Sequence, residues 1–137
     1  MNDSNHRSLR VLVADDDALS RLFVRHLLEG AGHRAVAVCD GREALALLER
    51  DGFDVALMDI EMPEMGGFEA TAALRETGSE LPVIAVSAHD LAEFQEQCRA
   101  AGMNACLSKP VRAQELMRLL ATVTKVTRRE AECSPSP

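Results

Sequence analysis

Residues 9–127 predict an α/β fold: a single, doubly wound (βα)5 parallel sheet. Two observations carry that reading. Five short apolar runs, Leu9–Ala14, Ala35–Val38, Val55–Met58, Val83–Val86 and Ala105–Leu107, alternate with five longer stretches of helical period. The runs are apolar nearly throughout, as strands covered on both faces must be. Strands that alternate with helices pair in parallel, and right-handed crossovers place the helices on both faces of the sheet.

The elements follow in order. After the first strand, Asp17 stands at the start of a helix marked by Leu19, Leu22, Phe23, His26 and Leu27, and "EGAGHR" ends it with glycines. The second helix, "DGREALALLER", opens with Asp40 and has Glu43 three residues on, a capping-box pattern, with Ala44, Leu45, Leu47 and Leu48 as its inward face. "GGFEATAALRETG" supplies a third helix closed by Gly78. "HDLAEFQEQCRAAG" repeats the cap pattern with Asp90 and Glu93 and stops at Gly102. "RAQELMRLLATVTKV" is amphipathic through Leu116, Leu119, Leu120 and Val123. Residues 1–8 read as a flexible N-terminus, and the charged, then Ser/Pro-rich residues 128–137 as a disordered tail or linker stub.

Composition narrows the function classes. At 137 residues the chain suits one domain with its own core. A net charge of −7 argues against nucleic acid or an anionic membrane as partner. Cys39, Cys98, Cys106 and Cys133 form no CxxC pair and no zinc spacing, so they read as free thiols in a reducing compartment. His6, His26, His33 and His89 are equally scattered. "MNDSNHRSLR" lacks the apolar stretch of a signal peptide, and no apolar run approaches the ~18 residues of a membrane span. The cytoplasm is the default location.

The polar residues at the strand ends carry the chemistry. In a parallel sheet all carboxyl ends share one edge, where ligands bind at the switch in strand order. The first strand ends in Asp15-Asp16, the third in Asp59, the fourth in Ser87 and the fifth in Ser108-Lys109. Any one of these has an ordinary explanation: a carboxylate before a helix caps it, and a lysine is usually a solvated surface charge. Their convergence on one edge points instead to a cation site. Two carboxylates about 4 Å apart repel by roughly 4 kcal/mol at the effective dielectric near a surface, so a counter-charge is required. A hard ion such as Mg²⁺ takes one or two carboxylates together with waters and phosphate oxygens. Asp17 belongs to the helix start and contributes little to the ion. Neither GxGxxG nor GxxxxGK[ST] is present, which argues against a dinucleotide or a nucleotide-binding loop. Asp59 beside Mg²⁺ points to a carboxylate nucleophile that accepts a phosphoryl group. Lys109 would hold one phosphate oxygen, and Ser87 would donate a hydrogen bond to another.

The segments "VLVADDD", "MDIEMPEMGG", "IAVSAH" and "AGMNACLSKP", in that order, resemble the receiver domain of two-component response regulators from about Leu9 to Val126. The phrasing "SAHD" with "AGMNACLSKPV" is similar to receivers attached to hybrid histidine kinases. The resemblance implies a flavodoxin-like strand order, 2-1-3-4-5, with Asp59 as phosphoacceptor. It implies that Asp16 ligates Mg²⁺ (or Mn²⁺) directly, Asp15 directly or through water, and that Asp59 and the backbone carbonyl of Glu61 complete the protein's share. Ser87 and Lys109 match the hydroxyl and lysine positions, and the Lys109–Pro110 bond would be cis. The implied partners are a sensor histidine kinase or a histidine phosphotransfer domain, with an output protein or domain beyond. The domain would catalyse only its own phosphorylation and dephosphorylation.

Three departures stand out. Cys106 replaces the usual aromatic ring of the fifth strand, which weakens the usual switch. Gly66 replaces a frequent helix-capping Asp, so the third helix should fray at its start. Glu61 and His89 occupy the variable positions two after Asp59 and two after Ser87 and would tune hydrolysis. Two other readings stay open. One is a Mg²⁺-dependent phosphatase or phosphotransferase with an Asp nucleophile, although the haloacid-dehalogenase type wants a DxD followed by Thr or Val, where this sequence gives "DDDA" and no cap-domain insertion. The other is a receiver-like module used only for protein binding. A flavin-binding module would lack aromatic residues to sandwich the ring.

Overall fold

The computed structural model describes residues 8–88 and 91–133. Ten elements alternate along the chain: β1 (Arg10–Ala14), α1 (Ala18–Gly30), β2 (Arg34–Val38), α2 (Gly41–Arg50), β3 (Val55–Asp59), α3 (Gly67–Glu76), β4 (Val83–Ser87), α4 (Leu91–Ala101), β5 (Ala105–Ser108) and α5 (Ala113–Cys133). The strands form one parallel sheet in the order β2-β1-β3-β4-β5. The chain runs outward from β1 to β2 and then crosses back to β3, so the switch in strand order lies between β1 and β3.

Side chains alternate across the pleat and divide the interior in two. Val11, Val13, Val55, Leu57, Ile84, Val86 and Leu107 face α1 and α5, where Val24, Leu28, Leu116 and Leu120 cover them. Leu12, Ala14, Ala56, Met58, Val83 and Ala85 face α2, α3 and α4, where Ala44, Ala70, Leu74 and Cys98 meet them. Each large apolar side chain withdrawn from water stabilises the fold by about 1.5–3 kcal/mol.

Helix α1 differs from its sequence pattern. Its buried residues are Val24 and Leu28, whereas Leu19, Leu22 and Phe23 are 75%, 63% and 48% exposed. The helical period identifies the helix, but its apolar surface is wider than the strip the sheet can cover. Helix α2 starts as expected, with the Glu43 N–H donating to Asp40 Oδ1 at 2.8 Å. Helix α3 is held at its start rather than frayed: the Gly67 N–H donates to the Ile60 carbonyl at 3.0 Å, and the Gly66 N–H donates to Glu69 Oε1 at 3.4 Å. A Cβ on Gly66 would stand 2.8 Å from the Ile60 oxygen, and one on Gly67 would overlap the Asp59 oxygen. Close approach to the end of β3 therefore crowds a side chain at position 66, so a capping acid there would require the Ile60 carbonyl to shift.

Helix α5 runs on through residues 128–133, which composition assigns to the tail. Arg, Glu and Ala are strong helix formers, and the Ser/Pro run begins only at Ser134. Residues 1–7 of the expected flexible N-terminus, and Asp90 of the expected α4 cap, lie outside the described residues.

The packing around Gly67 is directly testable. Gly67→Ala should lower stability by about 1–3 kcal/mol through overpacking against the Asp59 carbonyl. Gly30→Ala, which meets nothing within 4 Å, should be neutral or slightly stabilising. Urea unfolding followed by circular dichroism compares the two, and equal midpoints would refute this account of Gly67.

Candidate functional site

The carboxyl ends of β1, β3, β4 and β5 converge on one edge of the sheet. Asp15 directly follows β1, and its N–H continues the strand pairing by donating to the Val38 carbonyl at 3.1 Å. Its Oδ1 accepts the Asp17 N–H at 2.9 Å, and its Oδ2 is 3.0 Å from Lys109 Nζ. Asp59 ends β3; Oδ1 accepts the Glu61 N–H at 3.1 Å, and Oδ2 accepts from Lys109 Nζ at 3.1 Å. Both carboxylates are buried, at 4% and 6% exposure, whereas Asp16 is exposed. One oxygen from each of Asp15, Asp16 and Asp59 lies within 4.8 Å of the others.

Lys109 reaches this cluster from the far end of β5. Its N–H donates to the Ser87 carbonyl at 2.8 Å, which continues the β4–β5 pairing, and the Lys109–Pro110 bond is cis. Its side chain is 20% exposed, so it is not a solvated surface charge. Ser87 ends β4 on the same edge and is 1% exposed. The Glu61 side chain is exposed beside the cluster, and His89 lies outside the described residues. Cys106 is half-buried on the α2–α4 face, away from the carboxylates.

Asp17 stands at the N-cap position of α1, but its carboxylate accepts no helix N–H; Oδ2 accepts from the Ser20 hydroxyl at 3.0 Å instead. Arg21, which carries no sequence signal six residues beyond Asp15, donates from Nη1 to the Asp15 carbonyl at 2.7 Å. The exposed Leu19 and Phe23 are a further feature the helical period concealed. With Asp17, Ser20, Val24 and the Lys109–Val111 segment they line a groove of about 350 Å³ beside the cluster.

Charge in this cluster is unbalanced. Burial raises the Asp59 carboxyl from 3.8 to about 6, against the hydrogen bonds from the Glu61 N–H and Lys109, with the neighbouring Asp15 adding to the rise. Burial disfavours the Lys109 ammonium, but hydrogen bonds to Asp15 and Asp59 outweigh it and raise the amine above its ordinary value. One ammonium among three carboxylates leaves an excess of negative charge. An oxygen-only donor set with that excess fits a hard divalent cation.

Comparison with known proteins settles the family. Residues 11–121 match the family model of the response regulator receiver domain. The chain belongs to the response regulator receiver domain family. Over 127 residues it is 36% identical to the sensor histidine kinase RcsC of Salmonella typhi, covering 93% of this chain and 13% of that kinase. It is 35% identical over 136 residues to the sensor protein GacS of Pseudomonas syringae pv. syringae, covering 96% of this chain and 15% of that protein. This receiver domain thus spans less than a sixth of the length of those relatives.

Solved structures agree. The receiver domain of the Francisella response regulator 1452 has a TM-score of 0.82 at 32% identity, covering 88% of this chain and 99% of that one. The receiver domain of sensor histidine kinase PA1611 from Pseudomonas aeruginosa PAO1, solved with magnesium coordinated in its active site cleft, has a TM-score of 0.79 at 33% identity, covering 87% and 99%. The phosphoacceptor role of receivers in phosphorelay fits the buried acidic cluster of this one. Among the described residues no helix is long and apolar enough to cross a membrane.

The raised Asp59 carboxyl has a consequence for the metal-free domain. A carboxyl with a higher pKa in the folded state binds its proton more tightly there, so stability falls as pH rises from about 4 to about 6. Lys109 titrates far above this window and leaves it untouched. Asp59→Asn should flatten that slope and stabilise the metal-free domain at neutral pH by about 1–2 kcal/mol. Urea unfolding in a chelating buffer across this range tests it, and an identical slope in the variant would refute the assignment.

Proposed function

We propose that Asp59 accepts a phosphoryl group from a phosphohistidine of a sensor histidine kinase or histidine phosphotransfer domain. The observation that carries this is the buried Asp59 carboxylate, paired with Lys109 beside Asp15 and Asp16. The side chains of Asp15, Asp16 and Asp59 and the backbone carbonyl of Glu61 would hold Mg²⁺ or Mn²⁺. When bound, that ion neutralises phosphoryl charge, so an anionic carboxylate can approach phosphorus.

This chain's own residues do the rest. The Glu61 N–H and Lys109 favour the ionised carboxylate against the cost of burial. An Asp59 oxygen bonds to phosphorus as the bond from phosphorus to the imidazole nitrogen breaks, and the departing imidazole takes up a proton. Lys109 then balances a phosphoryl oxygen where it balanced Asp59, and the Ser87 hydroxyl donates to another. Glu61, exposed beside the cluster, and His89, two residues after Ser87 in the sequence, tune attack by water. The domain modifies itself and turns over no separate product.

The modification shifts the populations of conformations in α4 and β5. Cys106 is too small to repeat the packing change of an aromatic ring, so the shift is smaller or travels by another route. The exposed Leu19, Leu22 and Phe23 offer the donor an apolar footing on α1, at the rim of the cleft. These activities belong in the cytoplasm, with the chain acting alone or as one part of a hybrid kinase.

Incubation with Mg²⁺ and a small phosphodonor such as acetyl phosphate should give a single hydroxylamine-labile adduct by intact mass. Asp59→Asn should give none; an adduct of the same stability in that variant would overturn the assignment. Steady turnover of a small phosphomonoester would instead favour the phosphatase reading. For the docking face, Leu22→Ser with Phe23→Ser should slow transfer from a phosphohistidine protein about tenfold while leaving acetyl phosphate kinetics unchanged. Equal slowing with both donors would place the defect in the site rather than on α1.

A further inference from the structure

Two thiols meet on the α2–α4 face of the sheet. Cys98 lies near the end of α4, is 4% exposed and belongs to the core on that face. Cys106, the second residue of β5, points to the same face and is half-buried against that core. Both are free cysteines, and together with Gln95, Arg99, Met103 and Asn104 they line a pocket of about 140 Å³. The two side chains open onto that one pocket, and burial, with the neighbouring Cys106 as the lesser cause, pushes the Cys98 thiol up.

The turn between them is fastened. Arg75 of α3 donates from Nε and Nη2 to the Gly102 carbonyl at 3.0 and 2.7 Å. Its Nη2 also donates to Asn104 Oδ1 at 3.1 Å, and that oxygen accepts the Val83 N–H at 2.8 Å. The end of α4 and the start of β5 are thereby held side by side, which keeps both cysteines on the one pocket. Sulfenic acid chemistry needs such a pair: a reachable thiol to react first and a second within reach to resolve it.

We propose that Cys98 and Cys106 form an oxidisable dithiol, which a peroxide converts to a disulfide that ties α4 to β5. The half-buried Cys106 sulfur takes one oxygen from hydrogen peroxide and becomes a sulfenic acid, releasing water. The Cys98 sulfur then attacks that sulfur, the S–S bond forms, and a second water leaves with the remaining thiol proton. Two thiols and one hydrogen peroxide give one disulfide and two waters; the sulfurs are oxidised and the peroxide oxygens reduced. The closed loop is short, so the entropic effect on the unfolded chain is at the lower end for a disulfide, and a local effect on α4 adds to it. None of this depends on phosphoryl transfer at Asp59.

The test uses the full chain, treated with hydrogen peroxide, alkylated under denaturing conditions and digested with trypsin. Cleavage after Arg75, Arg99 and Arg112 separates the two cysteines into peptides 76–99 and 100–112. A linked pair of these peptides is expected, lost on treatment with dithiothreitol and absent in Cys106→Ser. Amide hydrogen exchange in residues 91–101 should slow about tenfold in the oxidised protein. Recovery of Cys98 and Cys106 as separately alkylated peptides while Cys39 oxidises would overturn the proposal. So would Cys106 carried to a sulfinic acid with Cys98 still a thiol, or unchanged exchange in α4 after oxidation.

Discussion

Carboxylates withdrawn from water beside one another repel, and the rest of this structure is arranged around holding them there. Asp15 and Asp59 end neighbouring strands, so the parallel pairing of β1 with β3 fixes their separation. Their counter-charge comes from β5, a strand that touches neither. Lys109 reaches past β4 to both carboxylates at 3.0 and 3.1 Å, from a backbone turned by a cis peptide at Pro110. The sheet order therefore decides which charges meet. A different order would leave the same residues scattered along the edge with the repulsion unrelieved.

Much of this was legible in the amino-acid sequence because it depends on strand ends. Once five apolar runs are read as parallel strands, the edge on which Asp15, Asp59, Ser87 and Lys109 fall follows from topology alone. What the sequence left hidden depends on how widely surfaces are covered and how closely backbones approach. Helical spacing marks Leu19, Leu22 and Phe23 as one stripe, but the reach of the sheet beneath α1 decides that Val24 and Leu28 are buried instead. Gly66 reads as a missing cap until the Ile60 carbonyl is seen to crowd the place of a Cβ there. Asp17 has the residue type and position of a cap, yet its carboxylate serves the Ser20 hydroxyl. The nearness of Cys98 to Cys106 joins a helix to a strand, and no local pattern encodes it.

The two sides of the sheet carry different chemistry. The α1–α5 side holds an aliphatic core and, at its rim, the apolar groove beside Lys109. The α2–α4 side holds most of the sulfur: Met58, Met103, Cys98 and Cys106 are all there. Methionine and cysteine are soft and adaptable in packing, so this side tolerates small shifts at little cost. Cys106, half-buried on β5, follows the same character.

One contact gives the domain its mechanics. Gly67 presses its bare Cα against the Asp59 carbonyl, and the next residue, Phe68, meets Phe94 of α4 with ring centroids 6.2 Å apart at 45°. With no side chain to act as a cushion, the Asp59 backbone and the first turn of α3 are packed directly against each other. The tip of β3 is thus joined to α4 by a chain of contacts through α3 and two tilted rings, with no part of β5 in it.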